Sequence, residues 1–306
     1  MKKLAVVGSF VMDLITRVNE FPLEGQTLIS DNFRCLPGGK GANQAMAAAR
    51  LGANVMMFGK LGTDSYGDTF ISVFKEAKVD ISHVRQVEEL PTAMGLIQIN
   101  QHAENKIIVV PGANFGYTLE DLERDFEKIC EADIVITQME LKPEVTFELI
   151  DRCYAKQIPV VLNPAPAADI PKKILSKVTY LTPNETELEI LSGVPVYDEA
   201  SAEKAIKALL EIGVGTVIAT LGKKGAVIGN LSGFEYVKGY SVNAVDTVAA
   251  GDSFNGALVT RLIEGDTLSG AVAYANAVGA LTVTKHGAIP SLPFSNEVEV
   301  FKKANS

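Results

Sequence analysis

Two carboxylates near the C-terminal end, Asp246 and Asp252, stand in the run VDTVAAGDSFNGA (Val245–Ala257), which is otherwise small and mostly apolar. Asp252 follows Gly251 where Phe254, Ala257, Leu258 and Leu262 begin an apolar helical period. The first N–H groups of a helix have no carbonyl partner inside it, and a glycine there lets an anion come close. A carboxylate in the same turn can take a proton from a hydroxyl as its oxygen attacks phosphorus. An anion hole and a base within one turn suit phosphoryl transfer. The competing reading is a plain Asp N-cap worth about 1 kcal/mol, and this stretch alone does not decide between them.

Three other stretches carry residues of the right type. In LPGGKGANQAMAAARLG (Leu36–Gly52), Pro37 to Gly41 reads as irregular backbone, and Lys40 with Asn43 at a helix start could hold a polyhydroxylated ligand. The alternative is a tight turn whose glycines only satisfy geometry. Thr220 to Gly225, with Gly222 inside it, closes one strand and opens the next; it reads as a backbone shelf for a nucleotide or as a plain hairpin. Asn184 and Glu187, three apart after a strand, share a helix face and could hold a metal-bound water, or cap that helix, or both. No G-x-x-x-x-G-K-[ST] and no G-x-G-x-x-G after a strand is present, so a nucleotide would be bound by another device.

The elements that must position these residues alternate along the chain. KLAVVGS, NVMMFGK, DIVITQ, IPVVLN, VTYLTP, TVIATLG and GAVIGN read as strands. Helical periods span Gly41–Leu51, Gly67–Ala77, Leu119–Ile129, Pro143–Lys156, Glu185–Leu191, Glu199–Ile212, Asp252–Glu264 and Leu268–Lys285. Such alternation predicts an α/β fold, a parallel sheet with helices on both faces. Two segments, 14–36 and 92–110, break the pattern and read as a small antiparallel sheet. LITRV pairs with TLISDNF, and a hairpin turns at His102–Asn105. We read one α/β domain over 1–306, with that sheet as a lid or a subunit interface.

The net charge of −9 argues against a nucleic-acid partner but permits an anionic small ligand bound by backbone N–H groups. No apolar run is long enough to cross a bilayer. The opening MKKLAVVGSFVMDL is broken by Asp13 and reads as a first strand rather than a leader. Three scattered cysteines and three histidines show neither disulfide nor zinc spacing. A soluble, cytoplasmic protein is the expectation.

GGKGANQA and VDTVAAGDSFNGA, with LNPAPA (Leu162–Ala167), TPNETE (Thr182–Glu187) and GAIPS (Gly287–Ser291), resemble the ribokinase family of carbohydrate kinases, the phosphofructokinase-B group. The likeness covers nearly the whole chain. It implies a Rossmann-like three-layer sheet with a β-sheet lid, and lids of two subunits clasping in a homodimer. Asp252 would be the base that deprotonates a primary sugar hydroxyl, with Ala249, Ala250 and Gly251 supplying the anion hole. Asp13, Gly39, Lys40, Asn43 and Glu140 would bind sugar hydroxyls. Asn184 and Glu187 would stand near Mg²⁺ and phosphate, and Thr220, Gly222, Gly225 and Asn276 would line the ATP site.

The resemblance also gives Asp246 a role, as ligand of a K⁺ ion. Val248, Thr282, Lys285 and Gly287 would add backbone oxygens, and Ser291 a side chain. One position departs from the family: Val11 stands where the pattern G-S-x-N-x-D has its asparagine. A sugar hydroxyl left unpaired there costs about 1–3 kcal/mol, enough to change which sugar is preferred. Ribose leads; another pentose, fructose or a related ketose, and the ribose of a nucleoside are the alternatives. A nucleoside would need an apolar pocket around Phe10, Val11 and Met94. A silent sugar-binding regulator on the same scaffold is opposed by the presence of Gly251, Asp252 and Asn184.

Overall fold

The computed structural model describes residues 2–30, 32–102 and 104–305. From the N-terminus run β1 (Lys3–Val7), β2 (Val11–Arg17), β3 (Phe33–Gly38), α1 (Lys40–Arg50), β4 (Asn54–Gly62) and α2 (Ser65–Glu76). There follow β5 (Asp80–Val87), β6 (Met94–Ile99), β7 (Asn105–Val110), α3 (Leu119–Ile129), β8 (Ile134–Thr137) and α4 (Pro143–Ala155). The middle of the chain forms β9 (Val160–Leu162), α5 (Lys172–Leu175), β10 (Tyr180–Leu181), α6 (Glu185–Ser192), α7 (Glu199–Ile212) and β11 (Thr216–Thr220). Last come β12 (Gly225–Asn230), β13 (Gly233–Lys238), α8 (Ala250–Glu264), α9 (Leu268–Thr282) and α10 (Ser295–Ala304).

Nine strands make one sheet in the order β13-β12-β11-β10-β9-β8-β1-β4-β5. It is parallel from β11 to β5, and the β12–β13 edge is antiparallel. The unbroken apolar run of β1 is explained by burial on both faces. Ala5 and Val7 point into the layer of α3, α4 and α7, and Leu4 and Val6 into that of α1 and α2. A third apolar cluster joins α8, α9 and α10 beneath β11 and β12, through Ile218, Ile228, Phe254, Val272 and Val298.

The alanine-rich face of α1 has its reason in the contact with α8. A Cβ on Gly256 would lie 2.7 Å from both the Ala47 Cβ and the Gln44 carbonyl oxygen. This close approach carries Asn43 and Gln44 up to the first turn of α8.

The small sheet has the order β3-β2-β6-β7. Its outer ladders are antiparallel, as expected, while the central β2–β6 pair is parallel. Within TLISDNF, Thr27 to Ser30 form no strand and Asp31 lies outside the described residues, as does Ala103 of the hairpin turn. Strand β3 instead starts at Phe33 and runs through Pro37 and Gly38, a place expected to be irregular. β3 is an edge strand, where the missing N–H of a proline leaves no ladder bond unmade. Elements not expected from sequence are β5, β13, α5 and α10.

Gly8 to Phe10 link the two sheets, and Phe10 pins that link. Its ring packs on Phe70 and Phe74 with centroids 5.2 and 5.5 Å away, a burial worth about 1.5–3 kcal/mol. Its backbone is bracketed by Asn114, which accepts from Phe10 N–H (3.0 Å) and donates to Phe10 C=O (2.9 Å).

Candidate active site

The C-terminal ends of β1, β8, β9, β10 and β11 open on one edge of the large sheet, where parallel α/β folds bind ligands. Helix α8 starts there. Its cap position is Ala249, held in the left-handed region (φ 61°) with no side-chain cap bond. A non-glycine residue in that conformation carries strain of the kind kept at functional sites. The plain Asp N-cap reading is therefore excluded. Asp252 is the third helical residue, and its carboxylate takes hydrogen bonds from other elements: Asn43 Nδ2 at 2.8 Å and Gln44 Nε2 at 3.2 Å. A Cβ on Gly251 would meet no atom within 4 Å. Protein packing does not demand that glycine; it leaves space above the helix N–H groups.

On the small-sheet side, Asp13 of β2 sits in a slot between two glycines of the neighbouring strands. A Cβ on Gly38 or Gly95 would lie 2.6 or 2.8 Å from its carboxylate oxygens. The Asp13 carboxylate has no hydrogen-bond partner among the described residues. Burial, then the charges of Glu140 and Asp252, push its carboxyl up to about 7 against the pull of Lys40. Burial alone would lower the Lys40 ammonium, but Asp252, Glu140, Glu187 and Asp13 together outweigh it and hold it above its ordinary value.

Glu140 accepts from Ser9 Oγ (2.5 Å) and from the Lys40 N–H (3.0 Å). Gly39 adopts φ 89°, and a Cβ there would lie 2.5 Å from Val11 N, so only glycine fits this crossing. Asn43 Oδ1 is buried with no partner among the described residues, which asks for a donor such as a ligand hydroxyl. Val11, two residues before Asp13, shares its face of β2 and is buried beside the same slot.

The nucleotide candidates surround a cleft of about 750 Å³ lined by Asn184, Thr220, Gly222, Gly225, Gly251 and Asn276. Asn276 is fixed by bonds from its Nδ2 to the carbonyls of Val237 (3.1 Å) and Lys238 (3.2 Å). The Thr220–Gly225 turn is both a β11–β12 hairpin and part of the cleft wall. A smaller hollow of about 210 Å³ borders Lys40, Asn184, Glu187, Gly251 and Asp252. The cap reading of the Asn184–Glu187 pair holds. The two form a reciprocal cap on α6, with bonds of 2.9 and 3.0 Å, and both border the hollow. Burial raises the Glu187 carboxyl, against the bonds from Asn184 and the charge of Lys40.

Beyond the α8 N-terminus, Asp246 accepts the N–H groups of Val248 (3.1 Å) and Gly287 (3.0 Å). Ser291 Oγ is buried and donates to Ala288 C=O (2.7 Å). The Thr282 carbonyl accepts the Lys285 N–H at 3.2 Å, while the Lys285 ammonium turns away to Glu297 (2.7 Å). Among the described residues no group of three or more His, Cys, Asp and Glu is placed to hold a metal ion.

Sequence reasoning missed Ser9, Gln44, Gln138, Asn163, Thr182 and Asn255, all buried polar residues close to the site. Gln44 carried the clearest signal, as a large amide among alanines in GANQAMAAA.

Residues 1–295 match the pfkB family of carbohydrate kinases. A ribokinase of Haemophilus influenzae is 40% identical over 301 residues, covering 98% of each chain. A deoxyribokinase of Salmonella typhi is 34% identical over 305 residues, covering 99% of each. The structure of Arabidopsis thaliana ribokinase complexed with ribose and ATP superimposes with a TM-score of 0.92 at 30% identity, over 99% of each chain. The strained N-terminus of α8 with its held carboxylate, and the cleft that Gly251 borders, agree with that kinship, and the chain belongs to the pfkB family of carbohydrate kinases as an ATP-dependent sugar kinase.

Proposed function

We propose that the protein transfers the γ-phosphoryl group of ATP to the primary hydroxyl of D-ribose, giving D-ribose 5-phosphate. The observation that carries this reading is the position of Asp252. It lies in the first turn of α8, on the wall of the smaller hollow and close enough to Asp13 to raise that carboxyl, and it is aimed by Asn43 and Gln44 rather than by its own helix. Its carboxylate removes the hydroxyl proton as that oxygen bonds to phosphorus and the bond from phosphorus to the ADP oxygen breaks. The N–H groups of Ala250 and Gly251, at the positive end of α8, meet the charge that develops on the phosphoryl oxygens. Lys40 adds a positive charge from the sugar side.

Mg²⁺ arriving with ATP would neutralise phosphate charge, with Asn184 and Glu187 beside it. K⁺ at Asp246 would stiffen the loop that leads into the anion hole. Activity should rise several-fold when K⁺ replaces a bulky organic cation.

Two further features support finer statements. The small sheet exposes Phe33, Leu96, Ile107, Ile108 and Val109; covering these by a second copy would make a homodimer, and Ile108→Glu should then shift the sedimenting species to monomer. Free, unpaired Cys35, Cys130 and Cys153 suit a reducing, cytoplasmic setting.

A second substrate, 2-deoxyribose, is favoured by one residue. Val11 offers an apolar wall on the Asp13 face, and an apolar wall accepts C–H more readily than O–H. A coupled assay across ribose, 2-deoxyribose, fructose and adenosine tests both readings. The highest kcat/KM is expected on a pentose. Turnover of adenosine alone would overturn the sugar assignment.

A further inference from the structure

Behind the base runs a chain of buried side-chain amides. Gln138, one residue beyond β8, donates from Nε2 to Gln44 Oε1 at 2.7 Å. Gln44 Nε2 donates in turn to Asp252 Oδ1 (3.2 Å) and to Asn163 Oδ1 (3.1 Å). Asn163 Nδ2 reaches Thr182 C=O (3.3 Å), Thr182 Oγ1 donates to Asn255 Oδ1 (2.7 Å), and Asn255 Nδ2 closes on Gly251 C=O (2.9 Å). Gln44 and Gln138 are almost wholly buried, at 0% and 1% exposure.

The direction of this chain follows from one fact: a carboxylate accepts and cannot donate. Gln44 must therefore present its NH₂ to Asp252, which turns its oxygen toward Gln138. Gln138 must then present its own NH₂, and its Oε1 is left buried without a partner among the described residues. An orphaned buried acceptor is costly. The fold tolerates it here at the far end of the chain from the carboxylate, while Asp252 itself is fully served.

We infer that Gln44 is a positioning residue for the base and that Gln138 acts through it by fixing which way the Gln44 amide faces. Neither residue lines the cleft or the smaller hollow. Their work is to hold the Asp252 carboxylate in one rotamer relative to the α8 N–H groups, to which Asn255 ties the same network. The inference rests on Asp252 being the base.

The test is steady-state kinetics with ribose, ribose binding by calorimetry and thermal unfolding, on Gln44→Met, Gln138→Met, the double variant and Gln138→Glu. Misplacement of a catalytic group by about 1 Å costs roughly a hundredfold in rate, so kcat of Gln44→Met should fall by that order with ribose binding within about threefold. Gln138→Met should lose about tenfold, and nothing more when added to Gln44→Met, because it acts only through that amide. Gln138→Glu, equal in size, is acceptor-only once ionised and then turns the Gln44 oxygen toward Asp252. Burial raises the pKa of such a carboxyl, so its loss of kcat should deepen as pH rises and exceed that of Gln138→Met at the alkaline end.

Normal kcat in Gln44→Met would overturn the inference, as would multiplicative losses in the double variant or losses that track the unfolding temperature. If Gln44→Met fails to fold, the pH profile of the isosteric Gln138→Glu decides alone, and a kcat that follows wild type up to the alkaline end refutes the relay. An inactive Asp252→Asn beside a fully active Gln44→Met would refute the relay and leave the base assignment standing. An active Asp252→Asn would remove both.

Discussion

Asp252, at the start of α8, and Asp13, on β2 of the small sheet, lie close enough for the charge of one to act on the other, and they are held in opposite ways. Asp252 belongs to the large-sheet side, where Asn43 and Gln44 donate to it and a run of amides stands behind them. Asp13 belongs to the small sheet, packed between two glycines with no donor of its own and with Glu140 and Asp252 as like-charged neighbours. The first carboxylate is finished before any ligand arrives. The second is uncomfortable until hydroxyls reach it. Reaction chemistry is thus preorganised in the large-sheet half, and sugar recognition is left to a group that gains most from binding.

This contrast can be broken at several points. The largest effect belongs to Asp252→Asn: loss of the base should lower kcat about 10³–10⁴-fold, with ribose affinity within a few-fold of wild type. Gly251→Ala comes next. The added methyl meets no protein atom, so the unfolding temperature should hold or rise. The methyl projects into the space above the anion hole, and kcat should drop about a hundredfold.

Asp13→Asn should raise the ribose KM by about ten- to a hundredfold, with a smaller change in kcat. In the wild type, ribose binding should tighten about three- to tenfold between pH 6 and pH 8, as Asp13 ionises near 7 and becomes a pure acceptor. Calorimetry at several pH values checks this, and Asp13→Asn should flatten the profile.

The smallest effect concerns stability. The folded Asp13 carboxyl keeps its proton to about 7, against 3.8 as its ordinary value. Between about pH 4 and 7 the folded chain therefore holds a proton that the unfolded chain has released, and stability falls as pH rises through that window. Above it, Asp13→Asn should unfold a few degrees higher than wild type, a stabilising change at a binding residue. Equal unfolding temperatures at pH 8 would show that Asp13 is no burden to the free protein.

The difference between the two sides also marks what the sequence could show. Alternation of strand and helix was legible because the β1 run KLAVV is buried on both faces, and the start of α8 was legible because Gly251 and Asp252 interrupt an apolar pattern. The small sheet was harder. Pro37 and Gly38 look like strand breakers, yet they end β3 because an edge strand needs no N–H there and because the slot for Asp13 needs a glycine. The amide chain was not legible. Gln44, Gln138 and Asn163 are far apart in sequence, and their bonds depend on how α1 lies against the ends of β8 and β9 and against α8. A short segment carries no information on that contact until the helices are packed.

The most direct test puts binding and chemistry on one preparation of Asp252→Asn. Ribose binding is measured by calorimetry, and a rapid quench of the enzyme with saturating ribose and Mg-ATP then follows the appearance of sugar phosphate in the first turnover. The account predicts ribose bound within a few-fold of wild-type affinity and first-turnover transfer slowed about 10³-fold or more. Near-normal transfer in that first turnover would contradict it.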